Sequence, residues 1–205
     1  DRITNYLDQK RERLQRLRNL RFKAAYATPR PGQETIQSDL RSAFDSSRIV
    51  LLEAPTGYGK TGVSWEYGLH ELASGQIDRI VYLTSKKTGQ LEAIERLDSL
   101  LSDQSVARYW HVRNKEEHCV NSEFRCSPKV CPYLKNLDIK WGSTALQPFL
   151  SAEAKPPSLE QLKTASASVG ICPYEAMRAN LNYRDIWVAD YNLSLIHISE
   201  PTRPY

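Results

Sequence analysis

Residues 51 to 61 decide the fold of this chain and read Leu51-Leu52-Glu53-Ala54-Pro55-Thr56-Gly57-Tyr58-Gly59-Lys60-Thr61. From Ala54 onward they fit the phosphate-binding pattern A/G-x-x-x-x-G-K-T. Gly57 and Gly59 let backbone N–H groups curl around phosphate oxygens without a side chain in the way. Lys60 would then reach the β and γ phosphates of a nucleotide, and Thr61 would place its hydroxyl on Mg²⁺. The stretch therefore predicts a nucleotide site with Lys60 and Thr61 as its catalytic pair.

The residues on either side supply the strand and helix that such a loop needs. The apolar run at residues 49–52 predicts a buried strand before the loop. After it, apolar residues recur at the spacing of one helix face: Trp65, Leu69, Leu72 and Ala73. Residues 79–84 predict a second strand, which completes a right-handed βαβ unit with a parallel sheet. Residues 185–190 predict a later return to that sheet.

Two segments before the loop add candidate binding residues. Residues 29–33, Pro29-Arg30-Pro31-Gly32-Gln33, predict a turn that leads into a helix. An amide near the phosphate loop offers both a donor and an acceptor to an adenine edge, so Gln33 is a candidate for base recognition. The Arg- and Leu-rich residues 3–22 predict a helix that either is a solvated lead-in or contacts nucleic acid.

A basic loop follows the strand predicted at residues 79–84. Ligands bind at the carboxyl ends of strands in open parallel sheets. Four residues of this loop are therefore candidates for phosphate contacts along a DNA strand: Lys86, Lys87, Thr88 and Gln90. A solvated basic loop with no ligand is the alternative.

The four cysteines form the pattern C-x6-C-x4-C, with the fourth after forty more residues: Cys119, Cys126, Cys131 and Cys172. Four thiolates suit a tetrahedral Zn²⁺ or an iron-sulfur cluster, and the spacing does not choose between them. Free buried cysteines are the alternative. His118 is a possible fifth ligand, although a surface position is the stronger expectation. The segment before Cys172 resembles an insert, with a capped helix predicted to start at residue 159.

Composition sets broad limits. The chain has 205 residues, a net charge of +4 and four cysteines. This length accommodates one domain, or one domain plus an insert. The basic charge is compatible with a polyanionic partner. Cysteines without a secretory signal favour metal binding in a reducing, cytoplasmic compartment, and no window approaches the length of a membrane span.

Both ends of the sequence look like those of an internal fragment. Residue 1 is Asp rather than Met, and residues 193–205 resemble a translated sequencing adaptor, a non-native tail that we leave out of the fold prediction. The expected organisation is a basic helix and linker at 1–28, the first part of a motor domain at 29–112, a four-cysteine insert at 113–178 and a return strand at 179–192.

In this order the motifs resemble those of the iron-sulfur superfamily 2 DNA helicases, the XPD/DinG family, over residues 26–192. The resemblance rests on Arg30-Pro31-Gly32-Gln33 as the Q-motif, residues 53–61 as motif I, residues 82–90 as motif Ia, the four cysteines, and Ala189-Asp190-Tyr191-Asn192 before motif II. It implies an α/β fold, an incomplete RecA-like parallel sheet of a P-loop NTPase, with an inserted metal-cluster domain.

The resemblance also implies function. It implies an ATP-dependent helicase that moves 5′ to 3′ on single-stranded DNA and opens forks or duplexes with overhangs, in DNA repair or replication, with ATP, Mg²⁺ and a 4Fe-4S cluster, or zinc, as cofactors. The nucleotide would contact Arg30, Gln33 and the loop residues Ala54, Pro55, Thr56, Gly57, Tyr58, Gly59, Lys60 and Thr61. Because motif II and a second motor domain are missing, we expect weak nucleotide binding and no DNA-stimulated turnover from these residues alone.

Two other classes of function are compatible with the sequence. One is a non-catalytic, zinc-bearing module that binds nucleic acid and retains a phosphate loop. The other is a different P-loop NTPase in which Asp190, at the end of an apolar strand, is the Walker B carboxylate. Zinc content would favour the first, and dependence of nucleotide binding on Asp190 would favour the second.

Overall fold

The computed structural model describes residues 2–102, 105–151 and 154–191. In chain order it has helices α1 (Arg2–Leu17), α2 (Gln33–Ser46) and α3 (Lys60–Ser74), strand β1 (Ile80–Thr84), α4 (Lys87–Leu100), β2 (Tyr109–Val112), α5 (Lys115–His118), a 3-10 turn (Pro132–Leu134), α6 (Leu137–Ser143), α7 (Leu146–Ser151), α8 (Leu159–Ser168), α9 (Pro173–Leu181) and β3 (Ile186–Asp190). Asn192 and the adaptor-like residues 193–205 lie outside the described residues. No helix within the described ranges is long and apolar enough to cross a membrane.

The described residues divide into two compact units. The first contains the residues up to Ile80 together with Leu91–Val106, and the second contains Val81–Gln90 and the residues from Ala107 onward. The first unit holds the glycine loop, and the second holds the sheet and all four cysteines.

In the first unit, helix α3 is fixed by its apolar face. Trp65, Leu69 and Leu72 are buried, as their spacing predicts. The indole Nε1 of Trp65 donates a hydrogen bond of 3.0 Å to the carbonyl oxygen of Ala93 on α4, which fastens the two helices together. Gly75, with a φ of 78°, ends α3 in the left-handed conformation that favours glycine.

The basic helix α1 is tied to the same unit through its cations. Leu17 is buried at its end. Lys10 lies 3.4 Å from the carboxylate of Asp78, Arg13 donates to the backbone carbonyl of Asp78, and Arg16 donates to that of Val106. Three of the cations of α1 that could have contacted nucleic acid therefore contact groups of the protein itself.

The strand expected at residues 49–52 is the main error in the prediction. These residues alternate in exposure: Leu51 is 94% exposed, whereas Val50 and Leu52 pack against the cluster around Ile36 and Leu40. Within the described ranges, no ladder of backbone hydrogen bonds pairs residues 49–52 with another strand. Exposure alternates along residues 49–52 as it does in a strand, but one face is exposed to solvent and no strand in the described structure pairs with them. The expected first strand of the βαβ unit therefore does not form.

The second unit contains a small parallel sheet with strand order β1-β3-β2. In the β2–β3 pair, Tyr109 lies opposite Ile186 and Val112 opposite Ala189. Strand β3 was predicted from its apolar run, whereas β2 was missed. Helices α7, α8 and α9 pack in one hydrophobic core with β2 and β3, so the cysteine-bearing residues share their core with the sheet. The predicted domain boundaries stay predictions.

A buried arginine anchors the start of β3. Arg184 is fully buried, and its guanidinium lies 4.8 Å from the ring centroid of Trp110. Its Nε donates to the side-chain oxygen of Asn180 at 2.9 Å, and its Nη1 donates to the carbonyl oxygen of Ala154 at 3.1 Å. Buried charge is tolerated only when hydrogen bonds replace its hydration, and these contacts fix the chain as it enters β3.

Candidate nucleotide-binding site and cysteine cavity

The glycine loop is a tight turn that ends on helix α3. Gly57 and Gly59 have φ values of 78° and 91°, which glycine adopts without a steric penalty. Gly59 is the N-cap of α3, so Lys60 and Thr61 occupy the first turn of that helix. The N–H groups of a first turn lack carbonyl partners within the helix and carry the positive end of its dipole. This geometry suits an anion such as a phosphate.

The ammonium group of Lys60 lies over the loop. Its Nζ donates to the carbonyl oxygens of Ala54 at 2.6 Å and of Pro55 at 3.0 Å. Phosphate oxygens are acceptors of the same kind with more negative charge, so they would compete well for this cation. The structure thus places the Lys60 ammonium over the glycine loop, and its role in binding phosphate stays a prediction.

Gln33 joins the upstream turn to the glycine loop. It is 6% exposed. Its Oε1 accepts a hydrogen bond of 2.7 Å from the backbone N–H of Arg30, and its Nε2 donates to the carbonyl oxygen of Tyr58. Both ends of the amide are engaged within the protein, so a role in reading adenine stays a prediction. The guanidinium of Arg30 lies beside Gly57.

The first unit therefore brings the predicted nucleotide-binding residues together, and it places one further side chain, which the sequence did not indicate, against the glycine loop. The hydroxyl of Tyr26 donates a hydrogen bond of 3.1 Å to the carbonyl oxygen of Gly59. Nothing in the local pattern of the sequence marks this tyrosine, because its partner lies more than thirty positions away along the chain.

Three of the four predicted DNA contacts lie on the surface at the carboxyl end of β1. Lys86, Lys87 and Thr88 are exposed. The Nζ of Lys87 lies 2.7 Å from a carboxylate oxygen of Glu117, and a guanidinium nitrogen of Arg113 lies 3.4 Å from the same oxygen. Burial alone would raise the pKa of Glu117, but the hydrogen bond and charge of Lys87, with the charge of Arg113, outweigh it and hold that pKa below its usual value.

The fourth predicted contact, Gln90, is inside the unit. It is 5% exposed, and its Oε1 lies 2.8 Å from Nε2 of His111 on β2. An amide oxygen only accepts, so Nε2 of His111 carries the proton. Desolvation lowers the pKa of His111 to about 4, and the nearby charge of Arg113 acts in the same direction. A DNA contact by Gln90 stays a prediction.

The four cysteines converge on one cavity of the second unit, whose lining includes Cys119, Cys126, Cys131 and Cys172. The repeated sequence Cys-Pro-Tyr explains part of this convergence. Cys131 is the N-cap of the 3-10 turn and Cys172 is the N-cap of α9, and each is followed by a proline at the first helical position. The N–H of Cys172 donates 3.0 Å to the carbonyl oxygen of Tyr133, which joins the two repeats directly.

As a donor set, four thiols fit zinc or an iron-sulfur cluster. Within the described ranges, however, no three His, Cys, Asp or Glu side chains are close enough to hold a metal ion. Burial raises the pKa of the Cys172 thiol, while backbone N–H groups of Glu175 and Tyr174 lower it. The four cysteines that would bind a metal thus share one cavity. In the described structure their side chains do not form a ligand shell.

The expected surface position of His118 is wrong. His118 is 1% exposed, and its Nδ1 donates a hydrogen bond of 2.8 Å to the carbonyl oxygen of Asn114. Its ring meets the ring of Tyr174 edge to face at 5.7 Å. Desolvation lowers the pKa of His118. The short helix α5 turns this side chain inward, which the polar sequence around it does not indicate.

The chain was also compared with known protein families. The model of the DEAD_2 family matches residues 78–200, which is more than half of the chain. The match begins after the glycine loop and covers the sheet and all four cysteines. It supports a helicase-type function in general, that is, a nucleic-acid-dependent ATPase with ATP and Mg²⁺. Because the match covers more than half of the chain and includes its parallel sheet, this chain belongs to the DEAD_2 family of helicase domains.

Proposed function

We propose that this chain is part of an ATP-dependent DNA helicase that moves 5′ to 3′ on single-stranded DNA and carries a 4Fe-4S cluster on its four cysteines. The observation that carries the proposal is the glycine loop seated on the first turn of α3, with Lys60 over it. Family membership supports the helicase class. The polarity, the cluster and the DNA substrate are proposed and are tested one by one below.

In the proposed nucleotide site, the first turn of α3 and the glycine loop bind the phosphates. The N–H groups around Gly57, Gly59 and Lys60 surround phosphate oxygens, and the Lys60 ammonium neutralises their charge. Thr61, one residue later in the first turn, supplies the hydroxyl for Mg²⁺. Catalysis of phosphoryl transfer is largely such positioning and charge stabilisation.

The proposed DNA contact is the exposed group of Lys86, Lys87 and Thr88. Cations contact phosphates without reading bases, which suits a motor that must move along any sequence. Replacing Lys86 and Lys87 by Ala should lower the affinity for single-stranded oligonucleotide and reduce the magnitude of the slope of log affinity against log salt by about 1.4. An unchanged slope would rule out this contact.

Polarity is tested separately, with one duplex that bears either a 5′ or a 3′ overhang and with a longer chain that contains this one, since no turnover is expected from these residues alone. The proposal expects ATP-dependent opening from the 5′ overhang. Opening only from the 3′ overhang would contradict the polarity while leaving the helicase class intact.

The four cysteines are the proposed ligands of the cluster, which would be structural and would order the loops that carry them. A coordinated set of thiolates contributes folding free energy directly. Anaerobic purification followed by iron, acid-labile sulfide and zinc analysis tests the ligand. About four irons and four sulfides per chain are expected.

Stoichiometric zinc would contradict the cluster and favour the second candidate, a zinc-bearing module that binds nucleic acid. The cavity lined by the four cysteines is the reason to keep this second candidate, because four thiolates bind zinc as well as an iron-sulfur cluster. ATP hydrolysis and DNA binding then distinguish the two candidates. A helicase motor hydrolyses ATP in response to DNA, whereas a binding module binds DNA with an affinity that does not depend on ATP.

A further inference from the structure

We infer that Tyr26 is a positioning residue for the phosphate loop and that Arg96 holds its ring in place; this inference rests on the nucleotide site of the proposed function. All the groups involved lie in the first unit.

The hydroxyl of Tyr26 acts on the residue that joins the loop to the helix. It donates a hydrogen bond of 3.1 Å to the carbonyl oxygen of Gly59, which also accepts the N–H of Val63 at 3.1 Å. Gly59 has a φ of 91°, and a glycine there has wide conformational freedom unless its neighbours restrict it. The tyrosine hydroxyl therefore restrains the peptide bond between Gly59 and Lys60. The orientation of this peptide determines whether the N–H groups at the start of α3 point toward a phosphate.

The ring of Tyr26 fills the space beside both glycines of this turn. A Cβ added to Gly59 would collide with the Tyr26 hydroxyl and would lie 2.9 Å from Nε2 of Gln33. A Cβ added to Gly62 would lie 2.7 Å from the same hydroxyl and 3.0 Å from the ring. Tyr26 and Gln33 thus confine Gly59, and the backbone comes this close to the ring only because residues 59 and 62 are glycines.

The chain before Tyr26 is held in place between α3 and the end of α4. Phe22 forms an antiparallel bridge with Leu101, and the N–H of Lys23 donates 2.8 Å to the carbonyl oxygen of Leu100. The N–H of Ala25 donates 3.0 Å to a carboxylate oxygen of Glu66 on α3. These contacts set the position of the ring before any ligand binds.

Arg96 of α4 lies over the ring of Tyr26. Its guanidinium carbon lies 5.1 Å from the centroid of the Tyr26 ring, within the range of a cation–π interaction. The ring is therefore held by Arg96 as well as by the glycines. A loop that is already ordered loses less conformational entropy when it binds its ligand, so affinity for nucleotide is the property that Tyr26 should control.

The test is equilibrium binding of a fluorescent Mg-ATP analogue, with competition by ATP and ADP. Tyr26→Phe keeps the ring and removes only the hydroxyl, and we expect it to weaken nucleotide affinity about three- to tenfold while the melting temperature and DNA affinity stay near wild type. Tyr183→Phe, in the second unit, is the matched control. A merely structural role would lower the melting temperature and leave the affinity of the folded protein unchanged, and that result would overturn the inference.

A double-mutant cycle gives an independent reading. Gly62→Ala should weaken nucleotide binding in the wild-type background, because the new Cβ meets the Tyr26 hydroxyl, and should cost much less in a Tyr26→Leu background. Equal costs in both backgrounds would contradict the inference. If wild type binds no nucleotide, or if Lys60→Ala binds as well as wild type, the proposed function itself fails; if only Lys60→Ala loses binding and Tyr26→Phe equals wild type, the inference fails alone.

Discussion

Lys87 forms an ion pair within the protein, yet its side chain stays exposed to solvent. Its ammonium pairs with Glu117 at 2.7 Å while its side chain stays 63% exposed. A solvent-exposed ion pair of this kind contributes little to stability. Its main consequence is therefore electrostatic, since Glu117 offsets a positive charge on the surface proposed for DNA.

Replacing Glu117 by Gln should raise the affinity for single-stranded DNA about two- to fivefold at low salt and steepen its salt dependence, because Lys87 and Arg113 would both be released from the carboxylate. The measurement is fluorescence anisotropy over a range of salt concentrations. Glu116→Gln is the matched control, since it removes the same charge from the neighbouring exposed position. Equal gains from the two variants would attribute the effect to net charge alone.

His111 makes the stability of the second unit sensitive to pH. Burial lowers its pKa from 6.5 to about 4, so between these values the unfolded chain binds more protons than the folded protein. The stability contributed by neutral His111 is therefore complete above about pH 6.5 and is lost as the pH falls toward 4.

We accordingly expect the difference in unfolding free energy between wild type and His111→Gln to shrink as the pH falls from 7 to 5, as measured by denaturant unfolding at each pH. A difference that stays constant over that range would show that His111 is not held neutral by burial.

Among the helices, α8 was predicted from its first residues alone, and the structure confirms it. Ser158 Oγ accepts the N–H of Gln161 at 3.2 Å, and Gln161 Oε1 accepts the N–H of Ser158 at 2.8 Å. This is the reciprocal capping box, which depends on four consecutive residues and so can be predicted from local sequence.

Removal of this cap should have a measurable cost. Ser158→Ala should lower the free energy of unfolding by about 1 kcal/mol, because the N–H of Gln161 in the first turn loses its acceptor. Ser168→Ala removes a hydroxyl from the last residue of the same helix and should cost less. Denaturant unfolding measures both, and equal costs would argue against the cap as the cause.

The elements that the sequence could not predict depend on contacts between distant residues. Residues 49–52 have the composition of a buried strand, but a strand also needs a neighbour, and this one has none in the described structure. Strand β2 has only four residues and is specified by its pairing with β3. The positions of Gln90 and His118 likewise follow from tertiary packing, whereas α3 and β3 follow from their own apolar patterns.

At the scale of the whole molecule, the two candidate chemistries lie in different units. The first unit contains the glycine loop with Gln33, Tyr26 and Lys60, and the second contains the sheet, the exposed lysines and the cysteine cavity. The sequence motifs predicted a glycine loop at the start of α3, and the structure has it there, because such a loop is a local structure. They did not predict Tyr26, whose contact with Gly59 exists only after the chain has folded.

The decisive experiment for the nucleotide site is equilibrium binding of Mg-ATP to the wild-type chain and to Lys60→Ala. We predict that wild type binds the nucleotide, that excess ATP competes for the site, and that Lys60→Ala weakens binding by at least about tenfold, since a charge-assisted contact to phosphate is lost. Lys129→Ala, which removes the same charge from an exposed position of the second unit, should bind as wild type does. Wild-type affinity in Lys60→Ala would contradict the assignment of the glycine loop as a nucleotide site, and with it the proposed motor function.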